Sequence, residues 1–98
     1  MRAEYDSQAD ALSIDLIEVE GWDGPDESVD DSHCTVAIAG GRPANVELLA
    51  PATHLGLLDR AAERYQLDAE ALQAAARSAL AAPDRVVVLD VASRAVTG

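Results

Sequence analysis

The chain is 98 residues long and 49 % hydrophobic, with 18 acidic residues against seven arginines, no lysine, and a formal charge of −11. That length is one domain's worth of material, so every helix and strand over residues 1–98 is expected to share one core. A charge this negative repels phosphate backbones and anionic headgroups, which argues against nucleic-acid and membrane partners and for a basic protein partner or a cation. The plain alternative is that the acids maintain solubility.

The charge is unevenly placed: residues 1–34 hold eleven acids against Arg2 alone, whereas residues 35–98 hold seven acids against six arginines. The single cysteine, Cys34, excludes an intramolecular disulfide and any CxxC metal or redox motif, and it points to a reducing compartment. The first residues lack an apolar signal core, and no apolar run is long enough to cross a bilayer. The expected location is cytoplasmic.

In chain order, Ala3 and Tyr5 alternate with Glu4 and Asp6, and Leu12, Ile14 and Leu16 alternate with Ser13 and Asp15. Both are the period-2 pattern of strands with one buried face, and Ser7 to Asp10 supplies the turn of a hairpin. Glu20 to Ser32 is rich in acids, glycine and proline and reads as a loop holding a short edge strand around Val29. Cys34, Val36 and Ile38, then Ala44, Val46 and Leu48, predict a second hairpin across Gly40-Gly41-Arg42. A three-residue turn sets Ile38 opposite Ala44, Val36 opposite Val46 and Cys34 opposite Leu48; a two-residue turn mismatches the apolar faces.

Pro51 ends that strand, and Thr53 is placed to cap a helix over 54–66 that shows Leu55, Leu58, Ala62 and Tyr65 on one side. A second helix follows, with Asp68 as N-cap, a Leu67/Leu72 staple and alanines up to Pro83. Val86 to Val91 then forms a strand apolar on both faces, which places it either centrally in the sheet or against a second copy in a homodimer. The fold expected is α+β: a mainly antiparallel sheet of four or five strands with a helical hairpin on one face and a final apolar strand. Residues 1–53 form the β-rich half and 54–98 a helix-helix-strand extension.

The run Tyr5-Asp6-Ser7-Gln8-Ala9-Asp10-Ala11-Leu12-Ser13-Ile14 resembles the opening of a bacterial family known as domain of unknown function 2283, and Val46-Glu47-Leu48-Leu49-Ala50-Pro51-Ala52 resembles its closing strand. The resemblance covers about residues 3–53. It departs at Ala39-Gly40-Gly41-Arg42-Pro43, where the family has an Asp-x-x-Gly hairpin, and in the length of the acidic loop. It implies a small sheet domain with no catalytic residue, and an antitoxin-type role by association.

Several residues bear chemistry. His33 and Cys34 are the only adjacent base and nucleophile, but neighbours on a strand point to opposite faces, so Cys34 is expected in the core and His33 outside. Trp22, Asp23, Asp26, Glu27, Asp30 and Asp31 form the candidate partner-binding set: a large indole among acids either packs down or docks, and the acids suit a basic partner, a hard cation or plain solvent. Asp6, Asp10 and Glu47 are a possible carboxylate cluster, which converges if the first and fourth strands pair; otherwise Asp10 organises the turn and Glu47 faces solvent. Residues 57–80 superficially read as a helix-turn-helix, but the second helix offers only Arg77 to DNA. The reading is a protein-interaction module, antitoxin- or inhibitor-like, with a basic protein partner. The alternative is a small-ligand or divalent-cation-binding domain, and a weaker one is a carboxylate-dependent hydrolase. No catalytic residue, metal ligand or cofactor is assigned.

Overall fold

A computed structural model describes residues 1–17, 24–30 and 33–89. Six strands, β1 (Arg2–Asp6), β2 (Ala11–Asp15), β3 (Asp26–Asp30), β4 (Cys34–Ala39), β5 (Arg42–Leu49) and β6 (Val86–Val88), form one antiparallel sheet in the order β3-β4-β5-β2-β1-β6. Between β5 and β6 come α1 (Pro51–His54), α2 (Gly56–Tyr65) and α3 (Ala69–Ala81). The α+β architecture follows the sequence expectation. The sheet gains strands because the acidic segment around Val29 pairs with β4 and the final strand pairs with β1.

The alternating apolar residues all fall on one face. Ala3, Leu12, Ile14, Cys34, Val36, Val46 and Leu48 are buried there against Leu58, Ala61, Ala62, Leu72, Ala75, Ala76 and Ala79 of α2 and α3. Contacts with the sheet divide between the helices: α2 meets β3, β4 and β5, and α3 meets β1, β2 and β6. Most of the helical contribution is alanine, so the helices sit close to the strands, and two leucines supply the larger side chains. No helix among the described residues is long and apolar enough to cross a membrane.

The second hairpin corrects the expected turn. Ala39 pairs with Arg42 across a two-residue Gly40-Gly41 turn, both glycines at positive φ (58° and 76°), as a tight primed turn requires. The mismatch this creates is repaired one step further on. Ile38 pairs with Pro43 and Ala37 with Asn45, so Ala44 is an extra, bulged residue, and beyond it Val36 meets Val46 and Cys34 meets Leu48. The bulge does the work assigned to a longer loop. Its carbonyl is not wasted, since Leu16 N–H donates to Ala44 O at 2.8 Å.

The first helix also differs from expectation. Helical structure begins at Pro51, breaks at Leu55 and resumes at Gly56, and the Thr53 hydroxyl donates back to Ala50 O instead of capping. Asp68 does cap α3, its carboxylate accepting from Ala71 N–H at 3.1 Å. Of the expected strand, Asp90 and Val91 lie outside the described residues; among the described residues β6 is the outer strand beside β1, with Val87 turned inward and Val86 and Val88 exposed. Replacing the fully buried Ala75 by leucine in this close helix-sheet seam should lower stability by about 1–3 kcal/mol through overpacking, measured by urea denaturation, whereas Ala74→Leu on the looser side of α3 should cost less.

Candidate functional site

Period-2 alternation fixes the other face of the sheet as firmly as it fixes the core. Because the strands pair without offset there, its side chains line up in rows across the sheet. One row runs Val86, Glu4, Ser13, Glu47, Thr35, Ser28; the next runs Val88, Arg2, Asp15, Asn45, Ala37, Asp26. These two rows carry four carboxylates, from Glu4, Asp15, Asp26 and Glu47, and the guanidinium of Arg2, while the flanking rows of the same face add Asp6 and, opposite Ala39, Arg42. This is the polar face of the sheet, opposite α2 and α3.

Asn45 anchors its centre. The side chain is only 7 % exposed, and its amide nitrogen donates to Ser13 Oγ and to Asp15 Oδ1, both at 2.8 Å. Both amide hydrogens are thereby spent, as a buried amide requires. The bonds brace β5 against β2 and hold Asp15 over the sheet. Ser13, Asp15, Asp26, Thr35, Ala37, Asn45 and Glu47 surround a depression of about 220 Å³, below the ~300–1,000 Å³ typical of small-molecule pockets. Among the described residues, no group of three or more histidine, cysteine or acidic side chains is arranged to hold a metal ion.

The sequence candidates are dispersed. Of the acidic loop set, Trp22, Asp23 and Asp31 lie outside the described residues, and Asp30 is described only as a strand position in β3. Asp26 lies on the polar face. Glu27 points to the other side, where Tyr65 Oη donates to its Oε1 at 2.5 Å while Arg64 donates to Ser28 O at 2.7 Å. These two bonds strap β3 to the end of α2. Burial, the bond to Glu27 and its negative charge raise the Tyr65 pKa above the usual tyrosine value.

Asp6, Asp10 and Glu47 do not meet through a pairing of the first and fourth strands, because β1 pairs with β2 and β6 and with neither β4 nor β5. Glu47 faces solvent between Ser13 and Thr35, as expected. The turn is organised by Asp6, not Asp10: Asp6 Oδ1 accepts from the N–H groups of Gln8 and Ala9. Asp10 sits at φ 52° and accepts from Tyr5 Oη at 2.7 Å, a bond that raises the Tyr5 pKa. The same turn is tied to the start of β6 by Asp84, whose two carboxylate oxygens accept from Ser7 N–H and Ser7 Oγ at 2.9 and 2.7 Å.

Cys34 is buried in the core. His33 is half-buried and stacks on His54 with ring centroids 3.9 Å apart, while His54, which ends α1, lies within hydrogen-bond distance of Ala50 O through Nδ1. Ser13, Asp15, Thr35 and Asn45 form no motif of the sequence. Their signal was present in the polar positions between the apolar ones, but only strand order brings them side by side. Compared with protein-family models, with curated proteins and with solved structures, the chain finds no match in any of the three.

The Ser7 bonds hold the Asp84 carboxyl below its usual range, so Asp84 adds stability above the ordinary carboxylate pKa and loses it as pH falls through the lowered folded value. Acid titration followed by circular dichroism should show Asp84→Asn with a flatter loss of stability below about pH 4 than the parent chain. Tyr65→Phe should remove one of the two bonds of the β3 strap, costing about 1 kcal/mol and accelerating amide exchange in β3 more than in β2 or β5.

Proposed function

We propose that this protein is an acidic protein-interaction module, antitoxin- or inhibitor-like, whose polar sheet face receives a basic protein partner. The observation that carries this reading is the excess of acid on a broad strand-built face, where Glu4, Asp6, Asp15, Asp26 and Glu47 stand against Arg2 and Arg42. A sheet scaffold holds those charges at fixed spacings of about 4.8 Å between strands and roughly 6.8 Å along them, which suits a rigid basic surface. Asn45 restrains one of these acids by holding Asp15 in place. A shallow depression favours an extended protein contact over an engulfed small molecule.

The resemblance of residues 3–53 to the family of domain of unknown function 2283 agrees with this reading in assigning a small sheet and no catalytic residue. The preference for a protein over nucleic acid rests on charge, since the face would repel phosphate.

The test uses a synthetic arginine-rich peptide titrated into the isotope-labelled full chain. Amide shifts should concentrate on β2, β4 and β5; Asp15→Asn and Glu47→Gln should each weaken binding about two- to tenfold, while Glu63→Gln on α2 should not. Raising salt to about 0.5 M should abolish most of the affinity. Shifts spread over α2 and α3, or binding insensitive to salt and to both substitutions, would overturn the proposal.

A further inference from the structure

The two edges of the sheet are unlike. The β3 edge carries Asp26, Glu27 and Asp30 and is strapped to α2 through Tyr65 and Arg64, the kind of charged, covered edge that discourages strand addition. The β6 edge is Val86-Val87-Val88 with no charge in the strand. Val86 is 50 % and Val88 71 % exposed, and with Leu49 they are the large exposed apolar residues of the described chain.

The backbone of β6 has a defined polarity. Leu89 and Met1 bond to each other in both directions, Leu89 N–H to Met1 O and the Met1 amino group to Leu89 O. Antiparallel alternation then gives Val87 the next inward pair, with Ala3, and turns the N–H and C=O of Val86 and Val88 away from β1. Among the described residues no strand lies beyond them. An outward ladder of this kind is satisfied by another strand.

We propose that β6 pairs with β6 of a second copy of this chain, antiparallel about a two-fold axis at Val87, to make one continuous sheet. The register is self-complementary. Val86 of one copy stands opposite Val88 of the other, both with outward bonding groups, so the four outward positions of the two strands satisfy one another. The charges follow the same symmetry: Arg2 lies beside Val88 and Glu4 beside Val86, so each row across the junction reads Arg2, Val88, Val86 of the second copy, Glu4 of the second copy. Every row ends in opposite charges. Around this strand Arg2 and Arg85 offset Glu4 and Asp84 and leave Asp6 as the one further charge of β1, so among the described residues this edge is less negative than the β3 edge with Asp26, Glu27 and Asp30. Like charge therefore opposes pairing less at this edge than at the other.

A three-residue strand buries well under the ~1,000 Å² of stable interfaces, so the association is reversible and concentration-dependent. Because antiparallel pairing keeps equivalent faces together, both acidic faces would lie on the same side of the joined sheet. The proposal does not depend on what that face binds.

Sedimentation velocity of the full chain across a range of concentration should show a monomer-dimer equilibrium. Val88→Lys, at an exposed position, should raise the dissociation constant about tenfold or more without changing the melting temperature at concentrations where the chain is monomeric. Val88→Pro, which removes an N–H that the β1–β6 ladder does not use, should do the same. Exchange protection of the Val86 and Val88 amides should grow with protein concentration. A chain that stays monomeric at about 1 mM, or a dimer indifferent to both substitutions, would overturn the pairing. Protection of those amides that is independent of concentration would also overturn it, assigning the edge to the chain's own residues.

Discussion

The β2–β5 pair is the hinge of the whole arrangement. Leu12 opposite Leu48 and Ile14 opposite Val46 set a register in which every second side chain enters the core, and all four are fully buried. A one-residue slip would turn the polar residues of the strand that slipped, Ser13 and Asp15 of β2 or Asn45 and Glu47 of β5, into the apolar interior, so the same pairing that builds the core also assembles the polar face. The outer strands inherit this alignment: β1 takes it from β2, and β4 takes it from β5 once the Ala44 bulge has absorbed the odd residue. Core and polar face are two sides of one constraint.

Much of this was legible in the sequence because it rests on short-range patterns. The alternation at Leu12-Ile14 and Val46-Leu48 gave the strands, Asp68 gave the start of α3, and the parity of the apolar faces gave the correct pairing of Val36 with Val46. The turn was misjudged for a physical reason: parity fixes the sum of turn and bulge, not where the extra residue goes, and two glycines at positive φ favour the tight turn. The edge position of β6 was not legible either. An apolar run reads the same whether neighbours or solvent flank it, and only the topology separates the cases.

The candidate site was legible in part. Asp26 and Glu47 were noted, but for different sites, while Asp15 and Asn45 carry no local motif. Glu27 illustrates the difficulty from the other side. It sits in an acidic run that looks uniformly available, yet strand alternation turns it toward Tyr65, where it serves the fold. Sequence clusters of charge are sorted by the pleat into groups with different tasks.

β1 has its two neighbours at very different distances along the chain. Its inner partner β2 follows after a four-residue turn, whereas its outer partner β6 lies more than eighty residues away, where Leu89 closes on Met1. During synthesis the inner ladder can form early, while the outer edge of β1 and the apolar seat of α3 stay bare until α3 and β6 have themselves emerged. Alanine-rich α3 has little surface of its own with which to protect that seat in the meantime. β1 therefore precedes the other described strands in the chain yet is among the last to be completed, and its outer edge is the part of the sheet left longest open to premature association.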